Sequence, residues 1–108
     1  MKQWYINAMD CKPKDGDLTD FVVVVHWTRN ATEVIKEKEY FASVYGTQSF
    51  SSEDVTDFIP YDQLTYDIVC GWLDSTMDVQ ALDLNLDKQI EYQVNPPIVT
   101  LPLPFVNP

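Results

Sequence analysis

The sequence predicts an α+β fold: a three-stranded antiparallel β-meander packed by one or two C-terminal helices and followed by an extended proline-rich tail. Three observations carry this prediction. Alternating and β-branched apolar runs, broken only by short turn-like segments, fill the chain from Trp4 to Tyr45. Pro60 then separates them from a stretch with a helix-start signal and apolar residues at helical spacing. The segment from Asn95 to Pro108 carries five prolines and no charged side chain, which rules out a regular helix and argues against a central strand. The chain divides accordingly into a single α+β domain over residues 1–94 and an extended apolar proline-rich C-terminal arm over residues 95–108.

The first strand is expected from Trp4 to Met9, with Trp4, Ile6 and Ala8 on one side and Tyr5 and Asn7 on the other. Asp10 to Thr19 reads as a turn-rich loop in which Asp15-Gly16 tolerates positive φ. Its acids Asp15, Asp17 and Asp20 lack the other oxygen ligands and the terminal Glu of an EF-hand loop, so they read as a solvated turn. Phe21 to Trp27, FVVVVHW, is the strongest strand. Such a run, apolar on both sides, belongs at the centre of a sheet or at an interface. Alternation groups Phe21, Val23, Val25 and Trp27 and sends His26 to the opposite face. Thr28 to Thr32 is expected to be a hairpin connection with Asn30 in a left-handed position. A third strand follows from Glu33 to about Tyr45, solvated around Glu37–Glu39 and ended by Gly46.

Gly46 to Tyr61 reads as a polar loop. Its hydroxyls, Ser49, Ser51, Ser52 and Thr56, are ordinary loop residues and not nucleophile candidates. Thr65 is the expected N-cap of the first helix, with Asp67 at the positive end of the helix dipole. Leu64 and Val69 have the spacing of a hydrophobic staple. Leu64, Ile68 and Trp72, widened by Val69 and Leu73, form the apolar stripe, and Trp72 is placed to close the core. Gly71 beside it would permit close helix–sheet approach. Met77 to Val94 fits both a helical stripe and period-two alternation. Length, the Leu, Gln, Lys and Glu content and a capping Asp78 favour helix.

Composition narrows the function classes. The 108 residues suit one domain, and the net charge is −10. From Glu39 to Asp87 there are ten acids and no Lys or Arg. Such a surface repels phosphates and anionic lipid, so no direct nucleic-acid or membrane partner is expected. The start, MKQWYINAMD, lacks the apolar core of a secretory leader, and no run has the ~20 apolar residues of a membrane span. Without a leader, the sequon Asn30-Ala31-Thr32 reads as chance. Cys11 and Cys70 read as free thiols. There is no glycine-rich phosphate loop, CxxC, HExxH or GxSxG motif, and His26 is the only histidine. No catalytic, cofactor-binding or metal-ligating residue is assigned, and no enzyme activity is expected.

The candidate partner-binding residues lie in the arm: Pro96, Pro97, Ile98, Val99, Leu101, Pro102, Leu103, Pro104, Phe105 and Val106. Extended at ~3.1 Å per residue, the arm would reach about 40 Å. So apolar a segment is expected to be docked, on its own domain or in a groove of another protein.

A set of short motifs adds to this reading: Trp4, His26-Trp27, Ala42-Ser43-Val44-Tyr45-Gly46, Phe58-Ile59-Pro60-Tyr61, Leu64-Thr65 with Gly71-Trp72, and Asn95-Pro96-Pro97 with Leu101-Pro102-Leu103-Pro104-Phe105. Together they resemble a family of small, uncharacterised proteins of tailed bacteriophages, including phages of marine cyanobacteria. In similar sequences the segment before the prolines is more plainly helical; here the Asp-Leu-Asn-Leu-Asp alternation and the added Val106-Asn107-Pro108 depart from the pattern. The resemblance implies a phage context, with synthesis in a bacterial host's cytoplasm and a place in the virion. A compact acidic domain with an apolar arm suits a structural accessory protein held in many symmetric copies on other virion proteins. It would be a tail adaptor, ring or fibre-attachment component, or a capsid decoration protein. The alternative expectation is a small acidic inhibitor of a host nucleic-acid-binding enzyme.

Overall fold

The computed structural model describes residues 1–54 and 58–108; Thr56, among the loop hydroxyls set aside above, lies outside the described residues. Three strands form one antiparallel meander: β1 (Lys2–Asp15), β2 (Leu18–Ile35) and β3 (Lys38–Ser49), in the order β1-β2-β3. Two helices follow, α1 (Tyr66–Thr76) and α2 (Val79–Val94), with 3₁₀ turns at Ser52–Asp54 and Tyr61–Gln63 before them. The α+β meander with C-terminal helices is therefore the observed architecture.

The strands are much longer than their apolar cores suggested. β1 continues through the segment read as a loop and turns only at Gly16, φ +60°, in a two-residue connection to Leu18. A glycine at the first central position is what a type II′ hairpin turn requires. Pro13 is accommodated because β1 is an edge strand. The second turn is not at Thr28–Thr32, and Asn30 is not left-handed. β2 runs straight through that segment and turns at Lys36 (φ 52°) and Glu37 (φ 67°). Two consecutive positive φ values fit a type I′ hairpin turn, which here uses residues that pay a steric cost in this region. Nor does Gly46 end β3. It sits inside the strand, opposite Trp27, where an added Cβ would lie 3.0 Å from the indole ring.

Two register shifts set which side chains face the helices. Pairing passes from Ile6↔Trp27 to Ala8↔His26, and from Asp10↔Val24 to Cys11↔Val22, leaving Asn7 and Val23 as extra residues. The second bulge lets Val22 and Val25, not Val23, enter the core beside Trp27. Phe21, expected with that group, is buried but lies outside it.

Helices cover one face of the sheet in two clusters. Trp4, Val22, Val25 and Trp27 pack with Val69, Cys70 and Leu73 of α1. Ala31 and Ala42 pack with Leu86 and Ile90 of α2. The small residues of β2 and β3 leave room for the larger helical ones. Thr65 caps α1, its hydroxyl accepting from the Ile68 N–H at 3.2 Å, and Leu64 and Val69 both join the first cluster. Asp78 caps α2 by accepting from the Ala81 N–H at 3.1 Å. The period-two alternative over Met77–Val94 gives way to helix.

Trp72 does not close the core. Leu73, fully buried, does so; Trp72 is half-buried at the margin, its ring 5.7 Å from that of Phe50. Gly71 is exposed, with nothing within 4 Å of an added Cβ, so it mediates no close approach.

The two glycines predict opposite outcomes. Gly46→Ala should lower stability by about 1–3 kcal/mol through overpacking against Trp27. Gly71→Ala should raise it by about 0.5–1 kcal/mol through helix propensity. Urea denaturation of each variant measures both. Introducing Lys36→Asn with Glu37→Gly should also raise the urea midpoint, because both left-handed positions then carry residues suited to them.

Candidate functional site

The arm begins where α2 stops. The Asn95 N–H donates to the Glu91 carbonyl at 2.8 Å, and Pro96 and Pro97 cannot extend the helix. Residues 95–108 form neither helix nor strand, and all are exposed. The named apolar residues of the arm, from Ile98 (87 % exposed) to Val106 (93 %), join neither core cluster. Of the two docking possibilities, the arm is not laid down on its own domain. At its root lies a cleft of about 250 Å³, lined by Ile35, Ile90 and Val94 and by the acids Glu33, Asp87 and Glu91.

A second group of exposed apolar residues lies on the sheet face that the helices leave open. Tyr5, Thr28 and Tyr45 form one cross-strand row, Gln3, Asn30 and Ser43 the next, and Thr32 with Phe41 the one beyond. Tyr5, Phe41 and Tyr45 are exposed on these rows, as is Val34 next to them. The other exposed large apolar residues among those described, Tyr61, Tyr66, Leu84 and Tyr92, are scattered and need no special account.

Most acids of the helical layer are tied down. Asp74 accepts from the Trp4 indole N–H at 2.8 Å, and Asp83 from the Arg29 Nε at 2.7 Å. Asp87 pairs with Lys2 at 2.9 Å, and that hydrogen bond above all holds the Lys2 ammonium's pKa above its ordinary value. Asp78 is the cap of α2. These carboxylates fasten helices to sheet and close a helix end; they are not free phosphate mimics.

One titratable pair was not legible in the sequence. His26 and Asp10, sixteen residues apart, meet at 2.7 Å on the open face because the bulge at Asn7 shifts the register. A carboxylate can orient an imidazole for base catalysis, but that chemistry also needs a nucleophile. No hydroxyl or thiol hydrogen-bonds to this ring among the described residues. Cys11, next to Asp10, faces the helices and packs against the core. Burial pushes the pKa of both Cys11 and Cys70 up, so neither is an activated thiolate. No group of three His, Cys, Asp or Glu is placed to hold a metal ion, and no helix is long and apolar enough to cross a membrane, among the described residues.

A family described as a domain of unknown function (DUF7936) matches residues 2–105, nearly the whole chain, so the chain belongs to that family. No curated protein and no solved structure matches it.

The Tyr66 and Cys70 environment sets a pH dependence. Loss of hydration around the thiol and the hydroxyl is the main cause that raises both pKa values; although the Tyr66 ring is half-exposed, its hydroxyl donates to the Trp4 carbonyl. The unfolded chain therefore loses these protons first. The stabilisation is complete below the unfolded thiol pKa and declines as pH rises through about 9 to 10. The urea midpoint should fall over that range, and less so in Cys70→Ala.

Proposed function

We propose that this member of a family of unknown function is a structural accessory protein of a tailed-phage virion, docking on a larger scaffold through its C-terminal arm. The observation that carries the reading is the arm itself: an uncharged, apolar, proline-rich segment held away from its own core, with all of its residues exposed. Proline restricts the unbound arm, which lowers the ordering cost of laying it, extended, into a partner's groove. The resemblance to small tailed-phage proteins supplies the context. Within it the partner is another virion protein, as a tail adaptor, ring or fibre-attachment component or a capsid decoration protein. The directional arm favours tail attachment, and the location is the virion.

The inhibitor reading is the weaker one. A mimic of nucleic acid needs carboxylates free to replace phosphates, whereas Asp74, Asp78, Asp83 and Asp87 are engaged within the chain. The exposed arm has no part in such a mimic.

Deleting residues 95–108 should leave a soluble, folded domain with an unchanged urea midpoint that fails to enter particles. Mass spectrometry of purified virions measures both presence and copy number. Tens of copies point to the tail and hundreds to the capsid. Absence from virions, or normal incorporation of the truncated chain, would sink the proposal.

A further inference from the structure

The prolines of the arm do not have the spacing of a polyproline ligand: no two of them stand three residues apart. From Val99 onward they fall on alternate positions instead. Pro102, Pro104 and Pro108 share one parity, whereas Val99, Leu101, Leu103, Phe105 and Asn107, of the other parity, all keep their N–H groups. In an extended strand, successive residues alternate both in the face of their side chains and in the edge to which their N–H and C=O point. The arm therefore has two unlike edges. One offers an unbroken row of donors and acceptors, with the exposed Val99, Leu101, Leu103 and Phe105 side chains on a single face. The other lacks its donors at Pro102 and Pro104, so every N–H from Leu101 to Phe105 belongs to the first edge.

We propose that the arm docks as a one-edged β-strand, adding through residues 99–105 to an unpaired strand edge in another protein's sheet; this rests on the arm being the docking element. Hydrogen bonding selects the mode. Among the described residues, no backbone hydrogen bond involves residues 96–108, and all of these residues are exposed. Burying Leu101, Leu103 and Phe105 in an apolar groove takes their amides out of water with them, and a buried N–H without an acceptor is costly. A sheet edge supplies those acceptors while the alternate side chains enter the trough beside it. The missing donors then lie on the edge that stays free, where Pro102 and Pro104 stop a further strand from adding.

Both edges of the chain's own sheet already have side-chain partners. On β3 the carbonyls of Ser43 and Phe41 accept from Gln89 and Gln93 of α2, at 3.3 and 2.7 Å. On β1 the Trp4 carbonyl accepts from the Tyr66 hydroxyl. A pairing arm would have to displace these groups, in its own chain or in a second copy, so the acceptor is a sheet of a different protein. From Val99 to Phe105 the paired segment is about 20 Å long at ordinary strand rise, the usual length of one strand. Pro96 and Pro97, just ahead of it, keep it from continuing α2.

The copy number of arm variants in purified particles, by mass spectrometry, tests the strand. Leu103→Pro removes an N–H from the pairing edge, Leu103→Ala shortens the same side chain but keeps that N–H, and Thr100→Pro removes an N–H from the free edge. Thr100→Pro should enter particles within about twofold of the unaltered chain, and Leu103→Pro at least about tenfold less than Leu103→Ala, the effect of one ladder bond lost with its acceptor stranded. All three changes lie in the exposed arm, so the urea midpoint should not move. A groove that reads a polyproline helix would accept proline at position 103 as readily as at position 100. A smaller gap between the two Leu103 variants, or a loss with Thr100→Pro matching that with Leu103→Pro, would overturn strand pairing. If residues 95–108 were still required in that case, docking by the arm would stand. Particles that lack the full chain, or that take up the chain without residues 95–108, would overturn both.

Discussion

The structure depends on one residue, Trp4, at which both β-hairpin strands and both helices meet. Its ring stands edge-on to Trp27 at 5.5 Å and beneath the Arg29 guanidinium at 4.7 Å. Its indole N–H reaches Asp74 of α1, while Arg29 continues to Asp83 of α2. Its carbonyl receives the Tyr66 hydroxyl. An edge strand is thereby joined to the central strand, to one helix directly and to the other through a cation. The apolar contacts supply most of the free energy. The polar ones fix where each helix lies, because a buried indole N–H or guanidinium left without its partner is costly.

That constraint explains the use of acidity in this chain. Along the chain these carboxylates read as a solvated layer, but four of them hold or cap the helices. The remaining surface carries a strong negative charge, whereas the arm has no charged side chain. Exposed apolar side chains concentrate in the arm and on the open sheet face, which lie in different parts of the fold.

The helical half of the fold was legible because its signals are local. Thr65 and Asp78 each bond a backbone N–H three residues on, and a cap needs nothing beyond that distance. The strand half was legible in number and order but not in length. Thr28–Thr32 has the composition of a turn, yet its residues complete the rows of a long strand, and the chain instead turns at Lys36-Glu37, which carries no Asn or Gly. Gly46 has the look of a terminator, and its role is to make room for Trp27. The prominence of Trp72 in a fourfold stripe hid the fact that Leu73 and Val69 point at the sheet.

By itself, the sequence determined three strands before one or two helices, the caps of those helices and an uncharged proline-rich end that neither helix nor strand could absorb. These follow from interactions within about four residues and from the geometry of proline. Only the tertiary structure decided where the hairpins turn, which indole anchors the core, that Asp10 meets His26 and which face of the sheet remains uncovered. Each of these hangs on cross-strand register, and a single extra residue at Asn7 or Val23 changes which side chains meet. No periodicity along the chain announces such a residue; it is placed by the packing of Trp4, Val22 and Val25 beneath the helices.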